Sequence, residues 1–484
     1  RDWSSDVCSS DLVRDASLRT LLALAAYLGC STGKCAVASS DLRSAFLSND
    51  LSKDEDGKII KKYMEPPPMF FSNTGRILNP GTNDILELYS SVYGLKDASR
   101  ILSDNVREKL VQLGFKQCEH DRAVFFRFDG EGDEAAWQLV ATYVDDFLLI
   151  ASSMDLNHEV VSAINDDEEC RMEASLTEYP ERYCGYNIRY DKVDGGISID
   201  VNDYTAAVVK RFGSDVGKKI KDRILPGDPA VTAKMLELEA KQVKERGGMS
   251  KKKLSETRKM LGCILYLCGK AHPMVSPVCN MLATTGLGRG ELWDKQFYWL
   301  LGYLQKSLKD DPGIKYRERR SGESLTPRVD AMSDASFHST REGRSLGGYV
   351  IMYGGGAVGW RSSLSKTVCL STTEAEASAA SELARELLWL GQWLSEMGME
   401  VLPMHVGIDN LAALRSFITG SGGKGTRHTT YRIQHLRQCI RDGSMIAVHV
   451  GTDYNLSDAM SKLIRLPSTF TWMKDQIITK RKRG

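Results

Sequence analysis

Between Trp137 and Ala151 the chain reads Trp137-Gln-Leu-Val-Ala-Thr-Tyr-Val-Asp-Asp-Phe-Leu-Leu-Ile-Ala151, so two adjacent carboxylates stand between two apolar runs. Runs of this length fit buried strands. The pattern predicts a hairpin over Leu139 to Ala151 with Asp145 and Asp146 at its tip. Like charges so placed raise each other's pKa unless something binds them, and a hard divalent cation takes carboxylate oxygens. Taken alone, the pair reads first as a polar turn between core strands. A second run, Ala36-Val-Ala-Ser-Ser-Asp41, reads as a strand over Lys34 to Leu42 that carries another aspartate. Carboxylates from two adjacent strands could hold two Mg²⁺ ions ~4 Å apart, the arrangement that nucleotidyl transfer needs. Asp41 and Asp145 are the candidates.

The chain has 484 residues, about three domains' worth. With 42% hydrophobic and 26% charged residues it is neither collagenous, disordered nor a small disulfide scaffold. Its 64 basic and 63 acidic residues cancel, so net charge indicates no partner. The apolar stretch Thr20 to Cys30 is well short of the ~20 residues of a membrane helix, and no secretory signal is visible. The eleven cysteines include no Cys-x-x-Cys pair and no histidines at zinc spacing, as expected of reduced, mostly buried thiols.

Residues 1–12 show no apolar period and resemble a translated sequencing adapter, so the natural chain is expected to begin at or before Val13. Strand-like and helix-like stretches alternate from 13 to 185, with helices expected over Ser17 to Leu28 and Ala98 to Leu113. The 186–320 region is mostly helical. A linker is expected at 321–327, a further strand, strand, helix, strand domain at 328–466, and a basic tail at 467–484.

Tyr143-Val-Asp-Asp146, Asp41-Leu-Arg-Ser-Ala-Phe-Leu47, Tyr63-Met-Glu-Pro-Pro67 and Val92-Tyr-Gly-Leu-Lys96 occur in the order and rough spacing of copia-type retrotransposon reverse transcriptases, which this region resembles. Val13 to Ala26 also resembles that family's helix before the first catalytic strand. The resemblance implies that Asp41, Asp145 and Asp146 hold metal, and that Ser44 and Ala45 offer backbone N–H groups to a triphosphate. It implies that Phe46 lies under the incoming sugar and excludes a 2′-hydroxyl. Tyr93, Gly94 and Lys96 would then line the nucleotide site, with glycine at 94 because a Cβ would collide there. Where the family usually continues Lys-Gln-Ala-Pro-Arg-x-Trp, this chain has Lys96-Asp-Ala-Ser-Arg-Ile-Leu102, which sets the negative charge of Asp97 near the triphosphate. The family's basic fingers segment is expected ahead of Val13.

A second acidic set follows. Val329 to Ser336 reads as a strand ending near Asp334, and Gly343 to Ser362 as two hairpin strands. Thr372 to Leu388 reads as a helix with Glu374 and Glu376 in its first turns, His405 to Asp409 as a strand, and Asn455-Leu-Ser-Asp458 as the opening of a last short helix. Each acid alone could be a helix cap or an exposed charge. Together with Gly354-Gly-Gly-Ala-Val-Gly-Trp-Arg361 and Leu370-Ser-Thr-Thr-Glu-Ala-Glu376, they resemble the ribonuclease H domain of the same elements. The resemblance implies that Asp334, Glu376, Asp409 and Asp458 bind metal, with Glu376 preferred over Glu374. His428 matches a family position and could contact phosphate or shuttle a proton.

The resemblance thus implies an α+β multidomain chain: a palm-and-fingers reverse transcriptase, a helical thumb and connection, and a ribonuclease H-like α/β mixed-sheet domain. It implies RNA- and DNA-templated DNA synthesis with hybrid degradation, using two Mg²⁺ (or Mn²⁺) ions per site. The implied partners are RNA template, DNA primer, RNA–DNA hybrid, dNTPs and other parts of the polyprotein, with no membrane. The implied location is cytoplasmic particles, and nuclear as well. A stretch with eight Lys/Arg and two Glu, Lys241 to Met260, could grip duplex phosphates or form a solvated helix face. Two other readings are a relic that keeps only a nucleic-acid-binding fold, and a chain in which only the nuclease site is live.

Overall fold

The computed structural model describes residues 13–52, 56, 58–72, 76–81, 84–130, 135–167, 172–214, 220–235, 249–286, 289–310, 313–340, 343–420 and 427–479. Residues 1–12, the first part of the basic stretch (241–248) and 480–484 lie outside them. The chain divides into two compact units, one of Lys34–Pro180 with the residues up to Arg14, the other of Asp15–Gly33 with everything from Glu181 onward.

In the first unit, strand β1 spans Ala36–Arg43. Four short strands follow as two antiparallel pairs: β2 (Lys62–Met64) with β5 (Leu86–Leu88), and β3 (Phe70–Phe71) with β4 (Ile77–Leu78). Next come β6 (Lys116–Gln117), β7 (Val124–Asp129), β8 (Ala136–Tyr143), β9 (Asp146–Ala151) and β10 (Glu173–Glu178). They form an antiparallel sheet with β1 in the order β10-β1-β9-β8-β7-β6. Leu102, Val106 and Leu110 recur at i, i+4 and i+8 along the helix Ala98–Gln112. With Val160, Val161 and Ile164 of the helix Met154–Asn165, they pack in one core with Ala38, Leu42, Val140, Phe147 and Leu149. Each such large side chain is worth roughly 1.5–3 kcal/mol when fully buried. The core side of β1 and β9 fixes which residues are left for the other side, and Asp41 is one of them.

In the second unit, β11 (Arg182–Tyr183), β12 (Tyr186–Tyr190), β13 (Ile197–Asp200) and β14 (Ile314–Tyr316) form an antiparallel sheet. Helices Asn202–Gly213, Lys251–Lys270, Ser276–Thr285 and Glu291–Asp310 accompany it. The stretch 321–327 is irregular backbone. Beyond it, β15 (Asp330–Ser336), β16 (Leu346–Tyr353), β17 (Gly356–Leu364), β18 (Met404–Ile408) and β19 (Met445–His449) build a mixed sheet in the order β17-β16-β15-β18-β19. The β15, β16 and β17 pairings are antiparallel, and β18 and β19 add in parallel. Parallel neighbours need long crossovers. The helix Thr372–Glu396 lies in the first of these crossovers, and Leu411–Thr419 and Arg427–Arg441 lie in the second. This is a ribonuclease H-like α/β domain.

Two features depart from the sequence expectation. The helix Asp15–Tyr27, expected to belong with the residues that follow it, counts with the second unit. Arg19 shows why. It is 5% exposed, and its guanidinium donates to the carbonyls of Gly269 (2.8 Å), Lys270 (3.0 Å) and Val358 (2.8 Å) and to the Tyr186 hydroxyl (3.1 Å). It also lies 4.0 Å from the Trp360 ring centroid. A cation at the C-terminal carbonyls of the helix Lys251–Lys270 is favoured by the helix dipole. Arg19→Met is expected to destabilise this unit by about 3 kcal/mol or more, because buried carbonyls lose charged donors. Thermal unfolding of the variant checks this, and an unchanged midpoint would refute the anchoring role.

The second departure corrects the basic tail expected at 467–484. Pro467–Lys474 is a helix and residues 475–479 continue it as a wider turn. Phe470, Met473 and Ile477 recur at i, i+3 and i+7 and are buried, with Phe470 5.7 Å from the ring of Tyr303. Apolar periodicity outweighs the basic residues that follow.

Candidate active sites

In the first unit, the antiparallel register sets Asp41 of β1 directly opposite Asp146 of β9. Side chains so paired have Cβ atoms roughly 4.5–5.5 Å apart. The β8–β9 turn is pinned by the Leu42 N–H, which donates to the Asp145 carbonyl at 2.9 Å. Within that turn Val144 has φ +59°, in the left-handed region. A β-branched residue there carries strain of order 1–3 kcal/mol, and such strain concentrates at functional sites. Burial, then Asp145, then Asp41 push the Asp146 carboxyl above its ordinary pKa. Asp41 is exposed and Asp145 half-buried.

After β1 the chain turns at Ser44 (φ +51°), whose carbonyl accepts from the N–H groups of Leu47 (2.8 Å) and Ser48 (3.2 Å). Ala45 and Phe46 are buried, and the Phe46 ring meets Tyr93 edge-on with centroids 4.6 Å apart. The two loops are tied by the Ser91 N–H donating to the Asn49 carbonyl at 2.9 Å. Gly94 has φ +95°, and no protein atom lies within 4 Å of where its Cβ would stand. Within the chain, backbone conformation rather than crowding therefore calls for glycine there. Lys96 is exposed. The charge of Asp97 does not stand free, as its sequence position suggested. Lys62 donates to both of its carboxylate oxygens and Ser52 to one at 2.7 Å, which holds the carboxyl down at about 2.

In the second unit, Asp334 lies on β15 opposite Gly348 of β16. A Cβ at Gly348 would come within 2.6 Å of the Met460 backbone, so glycine here lets the short helix Asp458–Ser461 settle against the sheet and carry Asp458 to Asp334. Asp409 follows β18 directly. The next residue, Asn410, caps the helix Leu411–Thr419 by accepting from Ala412 and Ala413 N–H, both at 3.0 Å. Asp334, Asp409 and Asp458 each offer a carboxylate oxygen, all within 4.8 Å of one another. Among the described residues no other three His, Cys, Asp or Glu side chains meet so closely, the Asp41, Asp145 and Asp146 set included.

Glu374 and Glu376 have different employment. Ser371 caps the helix Thr372–Glu396 by accepting from the Glu374 N–H (3.1 Å), while the Glu374 carboxylate accepts from the Leu370 N–H (2.7 Å). This reciprocal cap uses up Glu374. Glu376 is 5% exposed. Burial, then Asp334 and Asp409, push its carboxyl up to about 9, against a backbone hydrogen bond from Ala335 and the charge of Lys462. Burial and Asp334 push Asp458 up to about 7, against Lys462. Glu376 Oε2 and Asp458 Oδ1 are buried without a hydrogen-bond partner. Orphaned carboxylate oxygens beside a three-acid cluster fit a hard divalent cation, which would reverse these shifts.

The side chain of His428 lies outside the described residues. Sequence reading passed over His449, which ends β19 beside the strand that runs into Asp409. Its Nε2 lies 3.1 Å from the Asp409 carbonyl. The usable signal was a histidine ending a strand, nine positions before Asp458.

An antiparallel sheet with aspartates opposed at its hairpin is followed along the chain by a ribonuclease H-like domain with its own acid cluster. Residues 2–220 match the reverse transcriptase (RNA-dependent DNA polymerase) family. Over 95% of its length the chain is 25% identical to the retrovirus-related Pol polyprotein from transposon TNT 1-94 of Nicotiana tabacum, and covers 32% of that protein. Over 87% it is 21% identical to the transposon Ty1-NL2 Gag-Pol polyprotein of Saccharomyces cerevisiae, covering 22%. Over most of its length the chain is thus similar to copia-type retrotransposon Pol polyproteins, and it spans about a third or less of the length of these relatives. A solved structure of the foamy viral protease-reverse transcriptase in complex with RNA/DNA hybrid aligns over 89% of this chain and 45% of that one, at 11% identity and a TM-score of 0.44. Among the described residues no helix is long and apolar enough to cross a membrane.

Proposed function

We propose that the chain carries two Mg²⁺-dependent sites, one extending DNA primers on RNA or DNA templates and one cleaving the RNA of the resulting hybrid. The observation that carries the reading is the convergence of Asp334, Asp409 and Asp458 with Glu376 set against them. The Asp41–Asp146 register supports the polymerase site in the same way. When bound, Mg²⁺ (or Mn²⁺) pairs supply an acidified hydroxyl or water and a sink for charge on the leaving oxygen.

The chain's own groups do the rest. Asp41, Asp145 and Asp146 would hold the ions at the primer end. Ser44 and Ala45 would present backbone N–H groups to the triphosphate, beside exposed Lys96. The Phe46–Tyr93 edge contact would floor the sugar and select deoxynucleotides, with Gly94 leaving room above. At the nuclease, Asp334, Glu376, Asp409 and Asp458 would hold the ions, and the His449 imidazole would receive or return a proton at the phosphate.

With Mg²⁺ present, the purified chain is expected to extend a DNA primer on RNA and to cut labelled RNA in a hybrid, and excess EDTA is expected to abolish both. Product that survives EDTA would refute the metal reading at that site. A second reading, in which only the nuclease is live, is favoured by the looser grouping of the first unit's aspartates. It predicts cleavage without extension.

A further inference from the structure

The nuclease acids already hold a cation of the chain's own. Lys462 Nζ lies 2.8 Å from Asp458 Oδ2 and 3.7 Å from Asp334 Oδ2. Its backbone N–H closes the helix Asp458–Ser461 by bonding to the Asp458 carbonyl, so its stem is fixed one turn from that aspartate. The same Asp334 oxygen also accepts from the Ser461 hydroxyl. The ammonium thus engages one oxygen on each of two aspartates, while Asp458 Oδ1 and Glu376 Oε2 stay unpartnered. A divalent ion taking up these carboxylates would meet a positive charge inside its own ligand set. Lys462 is also among the residues that line a cavity of about 740 Å³, together with Ser461, Arg465, Ser336, Leu346 and Met281. This cavity adjoins the residue whose ammonium the two aspartates hold.

We propose that Lys462 is a built-in counter-cation that competes with divalent metal for Asp334 and Asp458 and withdraws toward the adjoining cavity when metal binds. It keeps the acids apart in charge while the site is empty and sets a ceiling on their metal affinity. The proposal rests on the metal-site reading above.

Electron paramagnetic resonance of free Mn²⁺, titrated into the full chain, tests it without a turnover assay. Removing one positive charge ~4 Å from the ion should tighten binding about tenfold in Lys462→Met and in Lys462→Gln. Lys462→Arg keeps the charge and should stay near wild type. Unchanged or weaker Mn²⁺ binding in the neutral variants would overturn the proposal, because Lys462 would then be holding the acids in place. If the wild-type chain binds no Mn²⁺ that Asp458→Asn removes, the metal-site reading itself fails. A readout in the unaltered chain covers misfolded variants. The lysine ammonium resonance held by Asp458 should be protected without metal and lost to exchange with Mg²⁺, and protection that persists at saturating Mg²⁺ overturns the proposal.

Discussion

Asp145→Asn is expected to lower primer extension on an RNA template by on the order of a thousandfold or more, while hybrid cleavage persists. Metal ions stabilise the transferring phosphoryl group by several kcal/mol, and each 1.36 kcal/mol is tenfold in rate. Asparagine preserves the shape of the β8–β9 turn, whose backbone is set by the Leu42–Asp145 hydrogen bond rather than by the carboxylate. The strained Val144 conformation should therefore survive, and only charge at the tip is lost. Gel-resolved extension and hybrid cleavage on one preparation check this. Equal loss of both activities would point to misfolding, and undiminished extension would remove Asp145 from the metal set.

Glu376→Gln should give the opposite pattern, with hybrid cleavage lost to a similar degree and extension retained. It should also stabilise the metal-free chain at alkaline pH. Folded Glu376 keeps its proton up to about 9, against 4.5 in the free side chain. Between those values the folded state binds more protons than the unfolded one, so stability falls as pH rises across the window. Below about 4.5 the penalty is absent, and above about 9 it is complete. Asp458, raised to about 7, adds the same sign over a narrower range. A glutamine side chain in place of Glu376 carries no such penalty, and Mg²⁺ should relieve it in the wild-type chain by binding the ionised form. Thermal unfolding at pH 5 and pH 8 with EDTA checks both statements. A variant no more stable than wild type at pH 8 would contradict the burial of an uncompensated carboxyl.

The acids were legible in the sequence because each sits on or beside a strand or in the first turns of a helix, and apolar period marks those elements. The preference for Glu376 over Glu374 rests in the sequence on the family resemblance alone, and the structure supplies the physical reason, a Ser371 cap that occupies Glu374. What stayed hidden depends on partners far along the chain. Asp97 looks like an unwelcome charge until Lys62 is folded beside it. Arg19 reads as one more helical cation, although its carbonyl partners lie some 250 and 340 residues away. Lys462 is adjacent in sequence to Ser461 and Asp458, but its second partner, Asp334, arrives through sheet packing against Gly348. The terminal helix was masked by the basic residues after it, although Phe470, Met473 and Ile477 already carried its period.

The central claim is that one chain holds two separate divalent-metal sites. The anomalous signal of Mn²⁺ in crystals of the chain with an RNA–DNA hybrid tests it most directly. The account predicts Mn²⁺ peaks among Asp334, Glu376, Asp409 and Asp458, with Lys462 turned away, and further peaks between Asp41 and Asp145. Peaks at neither set, with the carboxylates turned from one another and the hybrid still bound, would contradict it and leave a nucleic-acid-binding fold without its chemistry.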